Sequence, residues 1–98
     1  MKQIENIAIY YQKNNKESTD QAVFRINELI NQLKNLHIKG VFFDNFNQST
    51  ELMELLNSPL SEIDYLYINK PLENEFDNEL INQLKKAEQF EIIYYSGV

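Results

Sequence analysis

IAIYYQKNN, residues 7–15, is an apolar run that breaks abruptly into amides and a lysine. Its near-continuous apolar start predicts a strand that is buried on both faces. In α/β proteins, ligands bind outside the carboxyl ends of such strands, so residues 12–15 form the first candidate site. The same residues also fit a plain polar turn, because asparagine tolerates left-handed backbone angles.

Three further strand-like segments alternate with helical patterns along the chain. Residues 41–43, 63–68 and 90–95 predict strands, whereas residues 19–36 carry apolar side chains at three- and four-residue spacings, which is typical of a helix. Ser18 and Gln21 predict a capping box at the start of this helix, and Gly40 is expected in the turn after it. Two more helices are predicted over residues 49–57 and about 75–88, the latter with these side chains inward: Leu80, Ile81, Leu84 and Ala87.

This β-α-β-α-β-α-β order predicts a three-layer α/β/α fold around a mainly parallel four-stranded sheet. A length of 98 residues fits one domain, residues 1–98. The sequence has no run of about 18 apolar residues and no apolar signal-peptide segment, so we expect a cytoplasmic protein without membrane association.

Composition excludes several kinds of chemistry. The chain has no cysteine, which excludes disulfides, thiolate catalysis and Cys-ligated metals. The one histidine, His37, is expected at the end of the first helix in a structural role. Asp44 is a weak magnesium candidate because no second carboxylate is expected beside it. We therefore expect no metal and no cofactor.

Charge is unevenly distributed. Residues 1–40 have a net charge of +2, whereas residues 41–80 have nine acids against Lys70 alone, a net charge of −8. DNA binding depends on Lys and Arg side chains that neutralise phosphates, so we expect no direct binding of nucleic acid.

The predicted strand ends carry amides, one acid and two lysines: Gln12 to Asn15, Asp44 to Asn47, Asn69-Lys70 and Ser96-Gly97. No glycine-rich phosphate loop occurs there. Two interpretations of these ends stay open. They can form the site of an enzyme or small-ligand-binding domain that uses Asp44 and Lys70, or they can be chemically inert.

Five quoted segments together resemble the N-terminal catalytic domain of serine recombinases, the resolvases and invertases. They are IAIYYQKNN (7–15), ESTDQAVFRINELINQLKN (17–35), KGVFFD (39–44), EIDYLYIN (62–69) and FEIIYYSG (90–97). In that family the first strand delivers an arginine and the nucleophilic serine, and a later strand leads to a D-R-x-x-R motif. The resemblance implies strand order 2-1-3-4 for the sheet.

The family's diagnostic residues are mostly missing here. Gln12 falls where the first arginine is expected, and Asn14 falls where the serine is expected. An amide cannot form the covalent phosphoserine linkage to DNA. Asn69 and Lys70 begin the segment that replaces D-R-x-x-R, whereas Asp44 matches an aspartate of the family. The resemblance therefore implies a degenerate and truncated relative that is not an enzyme.

We accordingly expect a catalytically inactive, resolvase-like module that binds a protein, either a recombinase or another copy of itself, in a phage or mobile element. A third interpretation is a structural subdomain cut from a longer protein. The acidic half of the chain is the expected contact surface. Its binding candidates are Asp44, Glu73, Glu75, Asp77 and Glu79.

Overall fold

The structure is a computed structural model and describes residues 4–72 and 74–95. Strands and helices alternate along this part of the chain, with a short 3-10 helix before the third strand. The elements are β1 (Asn6–Gln12), α1 (Thr19–Gln32), β2 (His37–Asp44), α2 (Thr50–Leu56), the 3-10 helix (Leu60–Glu62), β3 (Tyr65–Ile68), α3 (Glu75–Glu88) and β4 (Glu91–Tyr94).

The four strands form one sheet in the order β2-β1-β3-β4, and all three neighbouring pairs are parallel. The predicted fold class and strand order are therefore confirmed. β1 is an inner strand between β2 and β3, and each of its residues from 7 to 12 is buried. This burial on both faces explains the apolar character of residues 7–11.

Alternate residues of β1 face two different layers. Ile7 and Ile9 pack against Leu29 of α1 on one face. Ala8 and Tyr10 belong to the larger cluster on the other face, which α2 and α3 cover. The side chains that close this larger cluster include Leu52, Leu55, Leu66, Ile68, Ile81 and Phe90. The result is a helix layer on each side of the sheet.

α1 starts as predicted but ends earlier. Ser18 and Gln21 form both hydrogen bonds of the capping box, each with a donor–acceptor distance of 3.1 Å. The helix stops at Gln32, yet Leu33 and Leu36 still pack on the cluster around Ile7 and Ile9. The apolar spacing continues into the turn because these side chains reach the same core, so periodicity overestimated the helix length.

His37 and Gly40 both lie in β2, whereas the sequence predicted His37 at the end of the first helix and Gly40 in the turn after it. His37 opens the strand, and its Nδ1 lies 3.0 Å from Oδ1 of Asn6. Gly40 pairs with Ala8, while Ile38 pairs with Ile7, so one residue of β2 is skipped in the register. Such a bulge lets a glycine occur inside a strand.

α3 has the predicted bounds, but its inward face differs. Asp77 is only 6% exposed, Ile81 is fully buried and Leu84 is half-buried, which follows a spacing of four and three residues. Leu80 is half-buried and Ala87 is exposed, so Ala87 is not an inward residue. Apolar character alone predicted the wrong inward face of α3, because the first inward position is occupied by the carboxylate of Asp77.

No helix in the described part of the chain is long and apolar enough to cross a membrane.

Candidate functional site at the strand carboxyl ends

The carboxyl ends of β1, β2 and β3 meet at the residues that the sequence singled out. Gln12 and Asp44 are register partners at the ends of β1 and β2. Asn69, just after β3, accepts a hydrogen bond at Oδ1 from the Gln12 backbone N–H at 2.9 Å and donates from Nδ2 to the Gln12 carbonyl at 3.0 Å. The Asn69 carboxamide thus extends the β1–β3 ladder by one step.

The side chain of Gln12 closes the connection to the loop before α2. Its Nε2 donates to the backbone carbonyl of Gln48 at 2.8 Å, and Gln12 is only 9% exposed. The next residue, Lys13, donates its backbone N–H to the carbonyl of Asp44 at 2.9 Å. Gln12 therefore holds three chain segments together and presents little of itself to solvent.

Asp44 is a buried acceptor that joins the sheet to α2. Its Oδ2 accepts from the Tyr10 hydroxyl at 2.7 Å and from the Leu52 backbone N–H at 3.0 Å, and its Oδ1 accepts from the Glu51 N–H at 2.9 Å. Ser49, the residue before α2, makes no side-chain cap. The Asp44 carboxylate, which comes from the end of β2, caps the helix instead. At 3% exposure, the Asp44 carboxylate has a structural role that the sequence did not predict.

Tyr10 lies beneath this carboxylate and is fully buried. Its burial, followed by its hydrogen bond to Asp44 and the negative charges of Asp44 and Asp77, raises the pKa of the Tyr10 hydroxyl well above its usual range. A phenol held in its neutral form at physiological pH is a hydrogen-bond donor here and not a base.

Glu17 organises the loop of residues 13–17 and was missed in the sequence. Its Oε1 accepts from the Asn14 backbone N–H at 3.0 Å, and its Oε2 accepts from the Tyr11 hydroxyl and from Nη1 of Arg25, the latter at 2.8 Å. The Glu17 side chain is only 4% exposed. The alternation of side chains along β1 could have indicated this role of Glu17. It places Tyr11 in the interior, and a buried tyrosine hydroxyl needs a hydrogen-bond partner.

Asn14, the residue at the family's serine position, is exposed at the surface of this loop. Its Oδ1 accepts from Nζ of Lys70 at 3.0 Å. The structure thus brings together Gln12, Asn14, Asn69 and Lys70, the four degenerate positions named from the sequence. Their contacts are amide–backbone and amide–lysine hydrogen bonds, and none of the four side chains carries the hydroxyl that forms a phosphoserine linkage.

A small polar pocket lies between this rim and the start of α3. Asp77 accepts at Oδ2 from the Ser49 hydroxyl at 2.8 Å, and its backbone N–H donates to Oδ1 of Asn74, the N-cap of α3, at 3.1 Å. The pocket has a volume of about 40 Å³, and its other lining residues are Gln12, Asn47 and Leu72. Ligand sites for small molecules typically measure about 300–1,000 Å³, so this pocket has room for water or a single ion.

The acidic binding candidates do not share one environment. Glu75 and Glu79 are exposed on α3. Asp44 and Asp77 are buried, so the prediction that Asp77 contributes to an exposed acidic surface is wrong: it occupies the inward stripe of α3 and binds Ser49. Glu73 lies outside the described residues, as do Ser96 and Gly97 of the fourth strand end. Within residues 4–72 and 74–95, no three His, Asp or Glu side chains are grouped to hold a metal ion.

Comparison with known proteins identifies a fold and no family. No protein-family model matches the chain, and no curated protein matches it. The chain is similar to the crystal structure of the first ORF in transposon ISC1904 from Sulfolobus solfataricus P2, with a TM-score of 0.64 and 20% sequence identity. The likeness covers 92% of this chain and 66% of that one, so this chain spans just under two thirds of that protein's length. At this identity the likeness shows the fold alone.

Proposed function

We propose that this chain is a resolvase-like protein without recombinase activity, and that it acts as a regulatory module by binding another protein. The observation that carries the proposal is the closed rim at the carboxyl ends of β1, β2 and β3. The rim is filled by Gln12, Asn69 and their hydrogen-bonded partners, and its pocket of about 40 Å³ is too small for an ordinary substrate.

The residues at the positions matched to the recombinase motifs lack suitable functional groups, and this supports the proposal. Recombinase chemistry needs a hydroxyl nucleophile and cations that stabilise the charge on the scissile phosphate. Asn14 occupies the serine position and supplies neither. The sequence contains one arginine, Arg25, and its guanidinium is paired with the buried Glu17 at 2.8 Å. Lys70 is the remaining cation at the matched positions, and it contacts Asn14.

The setting that we propose is a prophage or other mobile element in the cytoplasm. The resemblance of the sequence to resolvases points in this direction, and a protein of similar fold is encoded by a transposon. In this setting the partner is a DNA-binding recombinase or a second copy of the chain. The partner would supply the cationic surface for DNA that a chain with a net charge of −6 lacks.

The enzymatic part of the proposal is tested with supercoiled plasmid that carries candidate recombination sites. We expect the plasmid to stay intact during incubation with the protein, and we expect the same for a Lys70→Ala variant. Nicking by the purified protein that disappears in Lys70→Ala, while the variant keeps its thermal stability, would contradict the proposal. Asp44→Ala is unsuitable for this purpose because loss of the buried carboxylate would itself disturb the fold.

The binding part is tested by capture from cells of the native host, followed by kinetics with the recovered protein. We expect a basic, DNA-binding protein to be retained. Retention of small metabolites only would contradict the protein-binding role.

A further inference from the structure

A second, larger pocket lies at the exposed edge of the sheet, away from the strand carboxyl ends. Ala8 of β1 and Gly40 of β2 are register partners, so two of the smallest side chains face each other on the α2 side of the sheet. A pocket of about 240 Å³ opens above them. Ala8 lies four residues before Gln12, which corresponds to about 13 Å along a strand, so this pocket is distinct from the rim.

The floor and walls of this edge pocket are apolar. They are formed by Ala8, Gly40, Phe42, Leu55, Pro59 and Ile63. Protein interiors seldom leave apolar space unfilled, and a dry cavity of about 150 Å³ is enough to bind benzene. Gly40 makes room for the ring of Phe42, because a Cβ at this position would lie 3.0 Å from Cε1 of that ring and would push it. The apolar space that remains beside this ring suits a branched or aromatic side chain.

The polar groups of the edge pocket are one donor and two acceptors. Lys39 and Glu62 are paired at 3.2 Å and are both partly exposed. The Ser58 hydroxyl already donates to the Leu55 carbonyl at 2.5 Å, so its oxygen can only accept. An exposed ion pair contributes little to stability, so Lys39 and Glu62 can separate at low cost. A ligand that carries both a carboxylate and an ammonium group would satisfy all three residues.

We propose that the edge pocket binds a free α-amino acid with a branched or aromatic apolar side chain. The ligand carboxylate pairs with Lys39, its ammonium group pairs with Glu62 and donates to Ser58, and its side chain lies among the apolar lining residues of the pocket. This role is independent of the protein-binding role proposed above, because it involves none of the rim residues.

The test is titration of the full chain with L-phenylalanine and L-leucine, followed by calorimetry and by amide NMR shifts. We expect saturable binding, with shifts centred on residues 39–42 and 55–63. Phenethylamine and hydrocinnamate each lack one charged group, so each should bind about two- to fivefold more weakly than phenylalanine. L-Glutamate should not bind, because its side chain is charged.

Substitutions at the pocket mouth provide the matched controls. Lys39→Ala should weaken phenylalanine binding about two- to fivefold but leave phenethylamine binding unchanged. Glu62→Gln should weaken phenylalanine binding by a similar factor but leave hydrocinnamate binding unchanged. Lys34→Ala and Glu54→Ala alter exposed charges elsewhere and should have no effect. Ala8→Val should narrow the floor and weaken binding, and a cooperative thermal transition would show that the variant folds even though its midpoint is lower.

Two results would overturn the proposal. The first is the absence of any saturable shift at residues 39–42 and 55–63. The second is equal binding of phenylalanine and its N-acetyl amide, which carries neither charge, because the pocket would then accept any apolar group. Both results leave the plasmid and capture experiments unaffected, so failure here is distinct from failure of the proposed function.

Discussion

The Tyr10 hydroxyl and the Asp44 carboxylate, 2.7 Å apart and both buried, connect the centre of the sheet to the start of α2. Asp44 also accepts from the first backbone N–H groups of α2, which have no partner within the helix. One side chain therefore satisfies a buried phenol and a helix terminus together. An aspartate at a strand end, which suggests a ligand site in the sequence, here has a structural function.

Asp44→Ala should destabilise the protein by about 2–5 kcal/mol, because it leaves a buried hydroxyl and two helix N–H groups without an acceptor. Tyr10→Phe should cost less, about 1.5–3 kcal/mol, because Asp44 keeps its two N–H donors. Denaturant unfolding of the two single variants and of the double variant measures the coupling energy between Tyr10 and Asp44. Glu54→Ala, on the exposed side of α2, is the control and should change stability by less than about 0.5 kcal/mol. Additive effects of the two substitutions would contradict the coupling.

Stability should fall at alkaline pH in a way that depends on Tyr10. Burial, and then Asp44, raises the pKa of Tyr10 in the folded chain, whereas the unfolded chain ionises near pH 10. Below pH 10 Tyr10 keeps its proton in both the folded and the unfolded chain, so its contribution to stability is fully present. Above pH 10 the unfolded state loses its proton first, so Tyr10 alone should reduce the free energy of unfolding by about 1.4 kcal/mol per pH unit.

Urea midpoints between pH 8 and pH 11, converted to free energies, measure this slope. Tyr10→Phe should flatten it relative to the wild type, since the other titrating groups are common to both chains. Tyr94→Phe changes a side chain that is 48% exposed and serves as the control. Parallel curves for the wild type and Tyr10→Phe would disprove the assignment.

Glu17→Gln should loosen the loop of residues 13–17. The amide keeps the size of the side chain but loses the charge that pairs with Arg25, and it cannot accept at both ends from Asn14 and Tyr11. We expect a loss of about 1–3 kcal/mol and faster hydrogen exchange at the Asn14 amide. Glu28→Gln, at an exposed position of α1, should change neither measurement. Unchanged exchange at Asn14 would show that Glu17 does not hold the loop.

The succession of strands and helices could be predicted because its strongest signals are local, whereas the strand order of the sheet was implied by the resemblance to resolvases. β1 is buried on both faces, so its apolar run is continuous, and the Ser18–Gln21 capping box places the start of α1 correctly. Errors arose where tertiary contacts override local signals. Leu36 continues the apolar spacing outside the helix, and Gly40 sits in a bulge of β2 instead of a turn.

The site was less predictable because its partners are distant in the sequence. Gln12 and Asn69 are 57 residues apart, and Asp44 meets Tyr10 across 34 residues. Asp77 lies in an acidic run that is typical of an exposed helix start, yet it is buried against Ser49, which comes from another loop. Residue type indicated which strand ends carry polar groups. The pairing of those groups depends on the packing of the sheet.

The exposed acids of α3 should speed the encounter with a basic partner. Glu75 and Glu79 lie on the surface, whereas Asp77 is buried and is excluded from this surface. Long-range attraction between opposite charges raises association rates and is screened by salt, with a range of about 10 Å at 0.1 M ionic strength. The combined variant Glu75→Gln/Glu79→Gln should therefore associate roughly two- to tenfold more slowly at low salt, with an unchanged dissociation rate.

Kinetics with the captured partner, at low and high salt, measure this effect. The control is Asp20→Asn/Glu28→Gln, which removes the same charge from exposed positions of α1, on the opposite face of the sheet. If the partner is instead a second copy of this acidic chain, neutralisation should accelerate association, because like charges repel. An association rate that ignores both salt and the α3 substitutions would mean that the acidic surface takes no part in recognition. The loss of rate must also exceed that of the α1 control, since any removal of charge weakens attraction to a basic partner.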